Sequence, residues 1–114
     1  MKKGDMVLVY FPFTDFENAK LRPAAVLIPE NKYGDICLAF ITSKAIEDDI
    51  DNLVINQEEK DFSKTGLKVS STIKVGKIAT LHKDLIAGKI GALSKKHIKK
   101  LNEILKKIFQ IEDR

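Results

Sequence analysis

The chain has 114 residues, a net charge of +4, 44% apolar and 32% charged residues, and one cysteine. That is the length of one domain with a modest core, and the balance of a soluble globular protein rather than a membrane or disordered one. No apolar run approaches the roughly 20 residues that cross a bilayer, and a lone Cys37 excludes an internal disulfide framework. Met1-Lys2-Lys3 leads straight into Gly4-Asp5 without an apolar h-region, so no secretory signal and a cytoplasmic location are expected. Charge is unevenly spread. Residues 45–61 carry seven acids and one lysine, whereas residues 62–100 carry ten lysines and a single acid, Asp84. Two readings stay open: a basic face for a polyanion beside a separate acidic segment, or a lysine-rich solvated surface.

Met6 to Phe11 is a nearly continuous apolar run ended by Pro12, which predicts a first strand buried on both faces. Residues 11–20 form a loop rich in turn formers and carry Phe11, Phe13 and Phe16, which either pack as a staple or present a stacking surface for bases. Arg22 to Ile28 is the second strand. Proline is tolerated at a strand's first position, so Arg22-Pro23 anchors a guanidinium at the mouth of a rigid apolar run. Such a fork grips a phosphate or a carboxylate through two oxygens, or makes a surface ion pair.

Residues 30–35 read as a hairpin bend with Gly34 at positive φ. Ile36 to Thr42 is a third buried strand that closes on the hydroxyls of Thr42 and Ser43; Cys37 within it reads as a core thiol. Residues 44–51 are polar and acidic with room for one helical turn, Leu53 to Ile55 is a short strand, and 56–66 a charged loop. Lys68 to Val75 alternates, with Lys68, Ser70, Thr72 and Lys74 on an open polar face. Gly76 interrupts the strand and Lys77 to Leu81 continues it. Ile86 to Leu93 is a last strand whose Gly88 and Gly91 mark bulges or bends. Ser94 caps a helix with an apolar stripe at Ile98, Leu101, Ile104, Leu105, Ile108 and Phe109, and lysines elsewhere. The sum is a mainly β domain with a strongly bent, barrel-like sheet and one C-terminal helix.

Five features then stand together in order: Gly4-Asp5 before a strand, the Phe-Pro-Phe loop, Arg22-Pro23 before Ala-Ala-Val-Leu-Ile, Ile41-Thr42-Ser43, and Ile78-Ala-Thr80-Leu81 with Ile90-Gly91-Ala-Leu93 entering the helix. This ordered set resembles the PemK/MazF family. The resemblance implies an SH3-like small barrel of the PemK/MazF/CcdB type, a homodimer, and the toxin of a type II toxin–antitoxin pair. It implies a metal-independent endoribonuclease, without cofactor, acting on single-stranded RNA such as mRNA. It also implies an antitoxin whose acidic extended segment blocks the RNA groove, with DNA met only through the antitoxin complex.

By motif, Arg22 and Thr42 match the family's catalytic arginine and its threonine or serine. The chain departs from the pattern at Ala79, where several members carry an arginine, and at Lys74 and Gly76, where some carry an arginine and an aspartate. Either Arg22 and Thr42 carry cleavage, or activity is altered, as in a non-catalytic module that binds a peptide or a gyrase-like target in the manner of the related CcdB toxins.

Cleavage requires a proton to leave the 2′-OH, a phosphorane to be stabilised, and the 5′-oxygen to be protonated. Arg22 suits the second task, and Thr42 can bond a non-bridging oxygen or orient the attacking hydroxyl. His82, Asp15 and Glu17 are the candidate proton carriers; each has a plain alternative as a surface or ion-pair residue, as has His97 in the first turn of the helix. Lys20, Lys68, Lys74 and Lys77 are candidates for phosphate contacts, Ser70 and Thr72 for sugars or bases, and Ser43 for RNA binding. No set of His, Cys or carboxylates has metal-ligand spacing, so no metal is expected.

Overall fold

In the computed structural model, residues 1–11, 20–44 and 49–112 are described. They form β1 (Asp5–Phe11), β2 (Lys20–Ile28), β3 (Asp35–Thr42), β4 (Asn52–Ile55), β5 (Ser71–His82), β6 (Ile86–Ala92) and the helix α1 (Lys95–Ile108). All strands pair antiparallel in one sheet of order β4-β5-β3-β2-β1-β6. The expected mainly β fold with one terminal helix is the one observed. No helix among the described residues is long and apolar enough to cross a membrane.

Alternation sorts each strand into two faces. Met6, Ala25, Leu27, Ala39, Ile41, Ile73 and Val75 turn one way and meet Leu101 and Ile104 of α1. Val7, Val9, Ala24, Val26, Ile36 and Leu38 turn the other way and are almost fully buried as well, although no helix among the described residues covers them. Among the described residues, Phe40, Leu81, Leu85 and Ile86 pack against them. β5 ends at His82 and β6 starts at Ile86, a separation that four residue steps bridge over at most about 14 Å. In a flat sheet four strand spacings would separate these neighbours, about 19 Å. The sheet must curl, which brings Leu81, Leu85 and Ile86 over the second cluster.

The strongly bent, barrel-like sheet expected from the sequence is observed, and its curl stops short of closing. Among the described residues, β4 pairs only with β5 and β6 only with β1. The chain that follows β4 lies against β6 instead: a 3-10 turn over Phe62–Thr65 ends on Gly66 at φ 76°, and a Cβ on Gly66 would collide with the Ile90 carbonyl. Gly91 returns the fit, since a Cβ there would meet the backbone of Lys64 and Thr65. Two glycines thus let two backbones touch where a strand pair would otherwise close the sheet.

Boundaries differ from expectation in two informative places. β5 begins at Ser71, not Lys68, and runs unbroken past Gly76 to His82, because the three residues Val75, Gly76 and Lys77 form a bulge: Phe40 pairs with Lys74 while its neighbour Ala39 pairs with Ile78. β6 carries two register shifts beside Gly88 and Gly91, as those glycines suggest. Gly34 takes φ 80° in the bend, where Asn31 Oδ1 accepts from Tyr33 N and Asp35 N. Ser94 caps α1, accepting from His97 N at 3.2 Å. Of the apolar stripe, Leu101 and Ile104 are buried, whereas Phe109 stays 58% exposed.

Candidate active site

The site follows from register. β2 starts at Lys20, so Arg22 lies inside the strand and pairs with Val9 of β1. On its other side the β2–β3 ladder begins only at Ala24, opposite Phe40. Pro23 stands immediately before that point and has no N–H with which to extend a ladder. Continued by two residues, the register sets Arg22 across from Thr42. Thr42 in turn pairs with Thr72 of β5, and Thr72 with Val54 of β4. One transverse row therefore reads Val54, Thr72, Thr42, Arg22, Val9, and directly opposed residues share a face. The neighbouring row reads Asn52, Lys74, Phe40, Ala24, Val7.

Arg22 is exposed and makes no hydrogen bond or ion pair among the described residues. Thr42 is half-buried, and its Oγ1 accepts from the Lys44 N–H at 3.4 Å, which leaves the hydroxyl proton free to donate. Thr72 is fully buried; its hydroxyl donates to the Lys44 carbonyl at 2.7 Å and so pins the turn that follows Thr42. The open face expected for Thr72 is corrected by this bond: the residue supports the site from beneath.

The other residues singled out by sequence divide clearly. Lys20 lies two residues before Arg22 on the same face of β2, and is exposed. Ser43 is exposed directly after β3. Lys74 sits in the adjacent row, on the face of Thr42, and Lys77 projects from the bulge into the same cleft as Lys74. Lys68 lies before β5, in the loop after Gly66, and is exposed. Ser70 is no part of an open strand face: its Oγ accepts from Gln57 N at 2.8 Å and its own N–H reaches Gln57 Oε1 at 3.3 Å, so it ties two loops together. His82 pairs with Asp35 at the far end of β3, seven residue steps or roughly 23 Å from the Thr42 end. There it accepts from the Asp84 N–H at 3.2 Å and caps a 3-10 turn. Asp15 and Glu17 lie outside the described residues, as do Phe13 and Phe16.

Three features have no local signature that would reveal them. Asp49, Asp51 and Asn52 read as a polar loop in sequence, yet they wall a cleft of about 260 Å³ with Lys74, Gly76 and Lys77. Glu59 and His97, far apart in sequence, meet at 3.1 Å, while His97 Nδ1 lies 3.1 Å from the Ser94 hydroxyl. Buried Asp5 joins Lys89 at 3.3 Å and accepts from the Lys2 N–H at 2.9 Å. Burial alone would raise the Asp5 carboxyl, but the Lys2 N–H and the Lys89 ammonium outweigh it and hold the group below its usual value. Cys37 is half-buried, and burial pushes its thiol up despite a bond with Thr80, which leaves it a poor nucleophile.

The family model described as "PemK-like, MazF-like toxin of type II toxin-antitoxin system" matches residues 2–109. The chain belongs to the PemK/MazF family. Among solved structures it is similar to the Mycobacterium tuberculosis toxin MazF-mt6, at 17% identity and a TM-score of 0.74, covering 96% of this chain and 99% of that one. A second is MazE-MazF from Deinococcus radiodurans, at 17% identity and TM-score 0.76, covering 98% and 97%. A third is a mycobacterial endoribonuclease in complex with its cognate antitoxin, at 12% identity and TM-score 0.75, covering 100% and 99%. These likenesses establish a MazF-type fold over the whole chain. No curated protein matches it significantly.

Proposed function

We propose that the protein is the toxin of a type II pair and acts as an endoribonuclease on single-stranded RNA, with Arg22 and Thr42 at the reacting phosphate. The observation that carries this reading is the transverse row: Arg22, whose side chain has no partner among the described residues, falls opposite Thr42 when the β2–β3 register is continued past Pro23. In this reading the 2′-oxygen attacks phosphorus, the bond to the 5′-oxygen breaks, and a 2′,3′-cyclic phosphate and a 5′-hydroxyl result. Arg22 binds two phosphorane oxygens, and Thr42 donates to a non-bridging oxygen. Asp15 and Glu17, in the segment leading to Arg22, are the proposed proton carriers; His82 is too far along β3 to serve within one chain.

Lys20 and Lys74 flank the pair on the same face and suit backbone phosphates. The complexes of MazF with MazE and of a mycobacterial endoribonuclease with its cognate antitoxin support an antitoxin partner here too, whose acidic extended segment competes with RNA for this face. A second reading, a non-catalytic binder of the same fold, is favoured by one observation. Gly76, at the position of a family acid, leaves open space with no atom within 4 Å of where a Cβ would stand.

Primer extension on RNA incubated with the protein in EDTA separates the two. Discrete stops at short sequences, absent with Arg22→Ala, are expected; intact RNA under all conditions would leave the non-catalytic reading.

A further inference from the structure

We infer that the cleft beside the β5 bulge is a nucleobase pocket selective for guanine, next to the reacting phosphate; the inference rests on the RNA-binding reading of the Arg22 face. The cleft holds about 260 Å³ and is walled by Asp49, Asp51, Asn52, Lys74, Gly76 and Lys77. Its position follows from register. Lys74 and Asn52 oppose each other in the row adjoining that of Thr42 and Arg22, two residues or about 7 Å along β5 from Thr72. A nucleotide whose phosphate lies at Arg22 has a base within reach of this cleft.

The chemistry of the walls selects the base. Two aspartates and two lysines line one cavity, yet no ion pair within 4.0 Å joins Asp49 or Asp51 to Lys74 or Lys77. Opposite charges are held apart with room between them. Asp49 spends one oxygen on the Asp51 N–H at 2.9 Å, and the Asp51 carbonyl accepts from Val75 N at 3.3 Å, so the acidic wall is braced against the bulge. The carboxylate of Asp51 and the side-chain amide of Asn52 make no hydrogen bond among the described residues.

A group that satisfies both walls needs donors on one edge and acceptors on another. Guanine has them: O6 and N7 accept from lysine, while N1–H and the N2 amino group present two parallel donors to one carboxylate. Uracil offers a single N–H between acceptors, and adenine and cytosine offer one amino group each. Gly76 keeps the cavity open at its rim, since a Cβ there would meet nothing within 4 Å.

The test uses binding, not cleavage. Fluorescence anisotropy of the full chain is read with 2′-O-methyl hexauridines carrying one central guanosine, inosine, adenosine or cytidine, or none. Guanosine is expected to bind about tenfold tighter or more than the others. Inosine, lacking the N2 amino group, should fall between. Asp51→Asn should erase the difference between guanosine and inosine. Gly76→Leu fills the cleft and should remove the whole preference, bringing the guanosine oligomer to the same affinity as hexauridine; circular dichroism checks that both variants fold. Equal affinity for all five oligomers, a preference that survives both substitutions, or no binding of any oligomer would each overturn the inference. Because these oligomers lack the 2′-OH, selective binding by a protein that never cuts RNA would sink the ribonuclease reading alone. Cleavage without base preference would sink this one alone.

Discussion

At the scale of single residues, the proposed site rests on two side chains, Arg22 and Thr42, acting on the same charge. If Arg22 and Thr42 both stabilise the phosphorane, removing either should lower kcat far more than it weakens RNA binding. Loss of one such donor typically costs about 10²–10³ in rate. Arg22→Lys keeps the charge but loses the planar fork, so strong impairment is expected. Thr42→Ser keeps the hydroxyl and should be mild, and Thr42→Val should be severe. The double variant should lose less than the product of the single effects, because groups acting as a unit are not additive. Single-turnover cleavage of labelled RNA measures all of this; a folded Arg22→Ala protein that cuts at the parent rate would remove Arg22 from the site. Both residues were legible because each stands beside a short, distinctive neighbour, Pro23 and Ser43. The buried bond from Thr72 to Lys44 was not, because alternation gives a face but not whether a loop lies over it.

At the scale of elements, charge holds the start of β1 to β6. Asp5 is 3% exposed and bonded to Lys2 N and Lys89. Its carboxyl ionises at lower pH in the folded chain than an ordinary aspartate does, near 3.8. The native state therefore keeps the charge at pH values where the unfolded chain takes up a proton. The resulting stability is present above that value and is lost as pH falls through the folded one. Asp5→Asn should cost about 1 kcal/mol at pH 7, and the gap to the parent should narrow below pH 3.8. Urea unfolding at stepped pH measures it; a gap that widens on acidification would show that the carboxylate does not stabilise the fold. α1 is tied in a related way. Ser94 caps its first turn and His97 reaches Glu59, which anchors the helix to the loop after β4. The cap was readable from Ser94 alone, whereas the partner of His97 lies 38 positions away in the chain and only the fold supplies it.

At the scale of the molecule, an apolar groove of about 540 Å³ runs between α1 and the sheet, lined by Leu27, Ile28, Cys37, Ile78, Leu105 and Phe109 among others. Ile28 is 60% exposed, Phe109 58% and Ile111 59%. Contiguous apolar surface of this kind marks an interaction site more often than an ordinary surface. We predict a symmetric homodimer, which light scattering at micromolar concentration should report at about twice the 12.8 kDa of one chain. A 12.8 kDa particle under those conditions would count against it. Phe109→Glu should dissociate the dimer if this groove forms the interface, and leave it intact if the contact lies elsewhere.

Composition and period were enough to place six strands and a capped helix, because each strand is a short apolar run with its own turn chemistry and the helix has a clean stripe. They were enough, too, to single out Arg22 and Thr42 through the order of short motifs. Tertiary structure alone decided what stands beside what. The bulge at Val75 to Lys77 sets the register of β5, and that register places Lys74 next to the Thr42 row. It leaves His82 at the opposite end of β3 and ties Ser70 to Gln57. The sheet stays open because Gly66 and Gly91 let a 3-10 turn lie where a closing strand pair would be. The physical reason is common to all of these: side-chain period is local and can be read along the chain, while register, bulges and loop contacts are settled by partners far away in sequence.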